Sequence, residues 1–353
     1  MTLLLAFILS LGLSLGLTPY IAKLAIRFGL VDDPAEASRK IHKVVTPRAG
    51  GVVIWFSFFI VSLVFLPSVP RSFWGLMLAA TLVFLLGLWD DARRLSAWFK
   101  LGVQVIAATV AILGFGLSVD VISNPFGQNF SLVGPQLTLF GASLAIVPFC
   151  LTLLWLVGMT NTINFLDGLD GLAGGVSAIA AFILFLVSLL PRINQPSIAL
   201  LGIILCGACL GFLRYNFAPA KIFLGDSGAY FLGMILGGLS IVSGAKLATA
   251  LLVLGVPVLD ALWAVTRRLL AHKSPFTADR GHVHHLLLDL GLSQRQVALV
   301  IYSFALAFGL VATIAGSAQK LFALIVLTAL VVCGIFILTL RRGRKAVLNN
   351  ASK

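Results

Sequence analysis

Uninterrupted apolar runs dominate this chain and decide what it can fold into. They fall at roughly 2–22, 51–66, 72–89, 99–117, 143–160, 172–190, 197–213, 227–243, 247–268, 296–316 and 320–340. About 20 apolar residues in helical geometry cross the hydrocarbon layer of a bilayer. With 60% of side chains hydrophobic and 10% charged, too little polar surface remains to cover a water-soluble globule, which carries about 25% charged residues. The same composition excludes a disordered chain, a collagen and a secreted disulfide scaffold. The expected fold is an all-α polytopic integral membrane protein of about eleven transmembrane helices.

Charge placement orients it. Alternate connections divide the 25 Lys and Arg residues into 21 on one side and four, Arg71, Arg192, Lys246 and Lys320, on the other. Basic residues concentrate in cytoplasmic connections, so the N-terminus is expected outside and the C-terminus in the cytoplasm. The first run has no Lys or Arg before it and no small-residue cleavage site, so it reads as a helix and not as a cleaved signal. The formal charge of +13 is a topology signal that suits anionic lipid and anionic substrates; no nucleic-acid partner is expected. Residues 1–340 form a single integral domain and 341–353 a basic cytoplasmic tail. The outer connection, about 118–142, contains Asn124-Pro125 and Gly134-Pro135 between short alternating runs and is expected to form a small external β-hairpin. Cys206 and Cys209 make a C-x-x-C inside an apolar run, where cysteine behaves as a small hydrophobe.

The acids carry the functional signal. Eleven of the 12 Asp and Glu residues fall on the basic side or within the inner half of a span, and Asp120 alone lies outside. Asp90 and Asp91 end the third run, followed by Arg93, Arg94 and Lys100. Two neighbouring carboxylates repel, so one rises in pKa or both share a cation, although for such a pair taken alone a solvated helix end with ion pairs is the better explanation. Asn161-Thr-Ile-Asn164-Phe-Leu-Asp167-Gly168-Leu-Asp170-Gly171 is harder to explain structurally: the two Asp, like the two Asn, sit three apart and share a helix face. Phe223-Leu-Gly-Asp226-Ser227-Gly228 opens the eighth run. There Asp226 or Ser227 reads as a helix cap, or Asp226 as a hard oxygen ligand for Mg²⁺. His282, His284 and His285, following Arg280, suit a pyrophosphate better than zinc, because no cysteine reaches that face. His42-Lys43 and Pro47-Arg48-Ala-Gly50-Gly51 permit a tight loop beside a phosphate. Asp260 is the one acid well inside a run, where structural pairing and catalysis weigh equally.

Taken in order, these motifs resemble the polyprenyl-phosphate N-acetylhexosamine-1-phosphate transferases (glycosyltransferase family 4) over nearly the whole length. The matching pieces are His42-Lys43 through Gly51, Asp90-Asp91 with Lys100 and Gln104, Asn161 through Gly171, Tyr215-Asn216 through Gly228, Pro257 to Asp260, and His282 to His285. The resemblance implies transfer of a sugar phosphate from a UDP-sugar to a membrane polyprenyl phosphate with release of UMP, requiring Mg²⁺, for which Mn²⁺ is a plausible substitute. It makes Asp226 the principal metal ligand with Asp167 beside it. Asp90 and Asp91 match a pair that activates the lipid phosphate. Asn161, Asn164 and Asn216 become polar contacts, and Phe223 and Asp170 hold the uracil. Lys43, Arg48, Lys100, Arg280, His282, His284 and His285 surround the pyrophosphate or sugar.

Arg94 stands where the branch using UDP-MurNAc-pentapeptide has Lys, and Leu287-Leu288 follow the histidines with no adjacent Glu. With Ser274-Pro275-Phe276, these departures favour UDP-GlcNAc as donor. The resemblance implies undecaprenyl phosphate as acceptor and, with the charge placement, the inner membrane of a bacterium with the active site cytoplasmic. Another UDP-N-acetylhexosamine or UDP-MurNAc-pentapeptide stays open as donor, and a homodimer as the assembly. A transporter is the rival from a different class. Its ionisable groups would sit at the membrane midplane, whereas only Asp260 approaches that depth here.

Overall fold

The computed structural model describes residues 1–32, 45–66, 70–134, 136–139, 142–242, 247–274 and 281–351. Every apolar run becomes helical. The helices are α1 (Thr2–Arg27), α2 (Gly50–Phe65), α3 (Arg71–Arg93), α4 (Ala97–Thr109), which continues as a π-helical turn over Val110–Gly114, α5 (Ile146–Leu166), α6 (Leu172–Leu189) and α7 (Pro196–Asn216). They continue as α8 (Gly225–Val242), α9 (Leu247–Val253), α10 (Gly255–Leu270), α11 (Val283–Asp289), α12 (Gln294–Ile314) and α13 (Ser317–Ala351).

The eleven expected runs differ in length and straightness. Among the described residues nine helices are long and apolar enough to cross a membrane, or ten if α9 and α10 count as one. Those two meet at 83°. Gly255 and Pro257 lie in the first turn of the new helix, where a missing N–H costs nothing, and a proline there disfavours a straight continuation of α9. The remaining run, α2, is a shorter apolar helix of 16 residues, about 24 Å long.

Three short antiparallel pairs join the helices: β1 (Val31–Asp32) with β2 (Thr46–Pro47), β3 (Val121–Ile122) with β4 (Phe130–Ser131), and β5 (Gln136–Leu139) with β6 (Ala142–Ala145). The connection expected to hold one hairpin therefore holds two, and β6 leads directly into α5.

Helix α8 is the hub, packed against α2, α3 and α5 and buried at nearly every position from Gly225 to Ile241. A helix buried all round carries no amphipathic stripe, and α8 instead uses small residues to admit its neighbours. The same device joins α1 to α7, where a Cβ at Gly207 or Gly211 would strike Ser10 or the Leu11 carbonyl. Ser14 Oγ donates to the Ala208 carbonyl there at 2.7 Å. Helices in lipid gain little from hydrophobic exclusion, so close backbone approach and interhelical hydrogen bonds take its place. Cys206 and Cys209 lie buried in α7 and carry no disulfide. The 341–353 segment continues α13 as far as Ala351.

Candidate active site

The site forms where the C-terminal end of α3 meets the N-terminal end of α8. A helix begins with backbone amides that have no partner within the helix. On α8 the amides of Asp226 and Ser227 donate to Asp91 Oδ1 and Oδ2 at 2.9 and 3.1 Å. Asp91 thus caps a helix other than its own, although the sequence offers Asp226 or Ser227 for that task. Each charge-assisted bond of this kind is worth about 1.5–3 kcal/mol, and the positive end of α8 adds to the attraction.

This crossing requires glycine. A Cβ on Gly87, one helical turn before Asp91, would strike the Ser227 amide, and one on Gly51 would strike the Gly228 amide. Gly225, at φ +76°, would set a Cβ 2.6 Å from Asp91 Oδ2. The loop before α2 docks on the same place. Phe223 N donates to Pro47 O at 2.8 Å, while Gly50 N and Gly51 N donate to Phe223 O and Leu224 O, both at 2.9 Å.

That docking delivers Arg48 to the carboxylates. Its Nε lies 3.0 Å from Asp91 Oδ1 and its Nη2 3.2 Å from Asp226 Oδ1. Burial alone would lower the Arg48 pKa, but the surrounding Asp226, Asp91, Asp32 and Asp167 charges outweigh it and push the guanidinium above its ordinary value. Asn164 Nδ2 donates to the same Asp226 Oδ1 at 2.9 Å. Asp90 is held on the other side by Lys100 Nζ at 2.7 Å and the Leu95 amide at 2.6 Å. Its carboxyl is also in hydrogen-bonding contact with that of Asp226. Two carboxyl groups in contact need a proton or a cation between them.

Asp167, at the end of α5, lies within electrostatic reach of Arg48, Asp226 and Asp91. Burial pushes its carboxyl well above the usual range, the Arg48 charge opposes that shift, and the neighbouring acids reinforce it. The carboxylate oxygens of Asp226 and Asp167 are the hard donor type that a magnesium-type ion takes, an ion that keeps most of its shell for water and substrate phosphate. Among the described residues no group of three His, Cys, Asp or Glu side chains is placed to hold a metal ion.

The histidine segment packs beside the Asp167 loop: a Cβ on Gly168 would lie 2.6 Å from His284 Nε2. Burial, with the His285 and His282 charges adding to it, holds the His284 pKa well below its ordinary value, so this ring is neutral. His282 Nδ1 lies 2.9 Å from Asp260 Oδ2, and its Nε2 lies 3.2 Å from Arg268 Nη2. Arginine only donates, so Nε2 accepts and Nδ1 carries the proton that is donated to Asp260. The Val283 amide donates to the second Asp260 oxygen at 2.8 Å. Asp260 is thereby a structural partner, and His282 lies with it inside the scaffold.

The chain matches the family model for glycosyl transferase family 4 over residues 73–244. It is 35% identical to the probable undecaprenyl-phosphate N-acetylglucosaminyl 1-phosphate transferase of Bacillus subtilis, over 93% of this chain and 88% of that protein. It is also 35% identical to the decaprenyl-phosphate N-acetylglucosaminephosphotransferase of Mycolicibacterium smegmatis, over 92% and 86%. Identity to the undecaprenyl-phosphate alpha-N-acetylglucosaminyl 1-phosphate transferase of Thermotoga maritima is 31%, over 94% and 96%. The chain belongs to glycosyl transferase family 4.

The segment matched by the family 4 model runs from α3 to α8 and so contains both helix ends of the crossing, while Arg48 and the histidines lie outside it. Of the residues singled out in the sequence, Arg48, Asp90, Asp91, Lys100, Asn164, Asp167 and Asp226 converge. Asn161 stands slightly apart, donating to Gln104 Oε1 at 2.6 Å and Val157 O at 2.8 Å. Asp170 Oδ2 accepts from the Ala220 amide at 2.9 Å, tying the loop before α8 to the α5–α6 turn. Asn216 is buried, accepting from Gly171 N at 3.1 Å and donating to Ile222 O at 2.9 Å, so it braces this loop from beneath. The Phe223 side chain is half-buried at the rim. His285 follows His284 in α11, the two rings 4.4 Å apart. Lys43 and Arg280 lie outside the described residues. Sequence reasoning missed Arg268, counted there only as a topology charge, and Gly87, whose signal was its four-residue spacing from Asp91 on one helix face.

Proposed function

We propose that the protein transfers GlcNAc 1-phosphate from UDP-GlcNAc to undecaprenyl phosphate, giving undecaprenyl-diphospho-GlcNAc and UMP. This would be the first membrane step of a cell-envelope glycan. The observation that carries this reading is the convergence of Asp90, Asp91 and Asp226 with Arg48 at one end of a membrane bundle. The names borne by the relatives from Bacillus subtilis and Thermotoga maritima support the donor sugar and acceptor. The 21-to-4 distribution of Lys and Arg supports a cytoplasmic placement of this end in a bacterial inner membrane, where a soluble nucleotide sugar can meet a lipid-borne acceptor.

In this reaction an oxygen of the lipid phosphate forms a bond to the β-phosphorus of UDP-GlcNAc as the bond from that phosphorus to the bridging oxygen breaks, and UMP departs with the oxygen. Arg48, with its side chain 32% exposed, presents its charge to the diphosphate while the two Asp residues fix its direction. Asn164 holds Asp226 in one rotamer. A Mg²⁺ ion held by Asp226 and Asp167 would neutralise charge on the diphosphate and on departing UMP. Asp91 has both oxygens committed to the amides of α8, which suits a positioning role. Asp90 is clamped between Lys100 and Leu95 and orients its neighbour Asp226. These commitments favour direct attack by the lipid phosphate over a phospho-aspartate intermediate.

Purified protein incubated with UDP-GlcNAc, undecaprenyl phosphate and Mg²⁺ is expected to release UMP and form the lipid-linked sugar, and to stop on chelation. A donor screen including UDP-GalNAc and UDP-MurNAc-pentapeptide tests the sugar. Binding of UDP-GlcNAc without UMP release in the presence of acceptor and ion would sink the proposal.

A further inference from the structure

A pocket of about 490 Å³ opens at the end of the bundle remote from the carboxylates. Helix α6 leads from the Asp170 loop to this end, a run of 18 residues or about 27 Å. The pocket lies between the segment after α6, the start of α9 and the turn into α13. Arg192 and Lys320, two of the four basic residues on this side, both line it.

Each cationic head is fixed by neutral acceptors. Lys320 Nζ donates to Thr249 Oγ1 at 2.9 Å. Arg192 Nη2 donates to the carbonyls of Thr313 and Ala315 at 3.1 and 3.4 Å, where α12 ends. Among the described residues neither cation has a carboxylate partner, and they stand close enough for the Arg192 charge to act on Lys320. Lys320 also occupies the first turn of α13, where the helix presents its positive end and a cation is disfavoured. Three positive features therefore face one cavity, on the side of the membrane where basic residues are otherwise sparse. Ser123 and Pro125 of the 118–142 connection also line the cavity, and Ile193, Leu321 and Leu324 give it an apolar flank beside the anion-seeking rim.

We infer that this pocket binds the phosphate headgroup of an anionic membrane lipid. Arg192 and Lys320 hold the phosphate, and the chain of the lipid lies along Leu321 and Leu324. The shared chemistry is a phosphate, whether carried by a bilayer phospholipid, a polyprenyl phosphate or free in solution. The site stands apart from the transfer reaction and does not depend on it.

Native mass spectrometry of the full chain in detergent tests this, with phosphatidylglycerol, phosphatidylcholine and undecaprenyl phosphate as separate probes and inorganic phosphate as competitor. The wild type is expected to retain phosphatidylglycerol over phosphatidylcholine, and R192Q/K320Q to lose about tenfold in that retention, given the attraction of two basic groups for a lipid surface. R192K/K320R keeps the charge and is expected to keep the lipid, while R71Q, which removes a basic residue elsewhere on this side, changes nothing. Thermal unfolding in detergent reports that each variant is folded. Preference for undecaprenyl phosphate, or displacement by inorganic phosphate, supports the site and assigns its source. Equal retention of phosphatidylcholine and phosphatidylglycerol by the wild type overturns the inference without recourse to any variant. So does a folded R192Q/K320Q that keeps the lipid.

Discussion

Two charged clusters lie at the same end of this bundle and are built to opposite rules. In the crossing of α3 and α8, Arg48 and Asp226 keep 32% and 19% of their side chains open to solvent. In the cluster of Asp260, His282 and Arg268, the His282 and Asp260 side chains retain 8% and 7%, and both acid oxygens and both ring nitrogens are engaged. The first cluster leaves carboxylate oxygens with capacity for a ligand; the second is closed. Density of charge is therefore a poor guide to chemistry in this protein, and unfilled capacity at a solvent-accessible rim is a better one.

The sharpest way to break that contrast is to substitute one acid in each cluster. Asp226→Asn is expected to lower transfer by about 10³-fold, the scale seen when one electrostatic stabiliser of a transition state is removed, with thermal unfolding in detergent little changed. Asp260→Ala should do the reverse: it removes the acceptor of the His282 ring and of the Val283 amide, and loss of one partner of a buried pair costs about 3–5 kcal/mol. A marked fall in unfolding temperature, with whatever activity survives in folded protein, checks it. An Asp260→Ala protein as stable as the wild type would remove the distinction between the clusters.

Gly87→Ala sharpens the comparison by moving the two helices apart at the crossing. Overpacking of this kind costs about 1–3 kcal/mol, and the displaced Asp226 should carry transfer down with stability. The same change at Gly102, where a Cβ meets nothing within 4 Å, is the control.

The smallest effects are in pH dependence. Burial raises the Asp167 pKa, so its ionised form opposes folding in the metal-free protein. Its contribution is complete below the ordinary value of 3.8 and is lost as pH rises through the raised one. Asp167→Asn should flatten that slope in unfolding measurements, and added Mg²⁺ should reverse it in the wild type. His284 has the opposite sign. Its lowered pKa means that stability is complete above 6.5 and declines as pH falls below it, a decline that His284→Gln should abolish.

Much of the fold was legible because the hydrophobic pattern is local. Each apolar run became a helix, since a chain in hydrocarbon must satisfy its backbone internally. What misled was continuity: 247–268 reads as one run, yet Gly255 and Pro257 break it into α9 and α10. The convergence of Asp90, Asp91, Asp167 and Asp226 was foreseen from their common side of the membrane and from family resemblance. Their division of labour was not, because nothing local in Gly87-Leu-Trp-Asp-Asp says that Asp91 points at the first turn of a helix 135 residues later. Asn216 shows the same limit: the resemblance made it a polar contact to nucleotide or phosphates, and only the fold shows its side chain bonded to Gly171 N and Ile222 O.

Composition and the order of apolar and charged segments by themselves determined a multi-helix membrane bundle with acids and bases gathered at one end, because hydrophobic burial and charge placement are properties of short stretches. Which carboxylate caps a helix, which pairs with Arg48 and which is locked to a histidine was decided only by tertiary structure. Hydrogen bonds and ion pairs act over a few ångströms, and only the packed chain brings their partners that close.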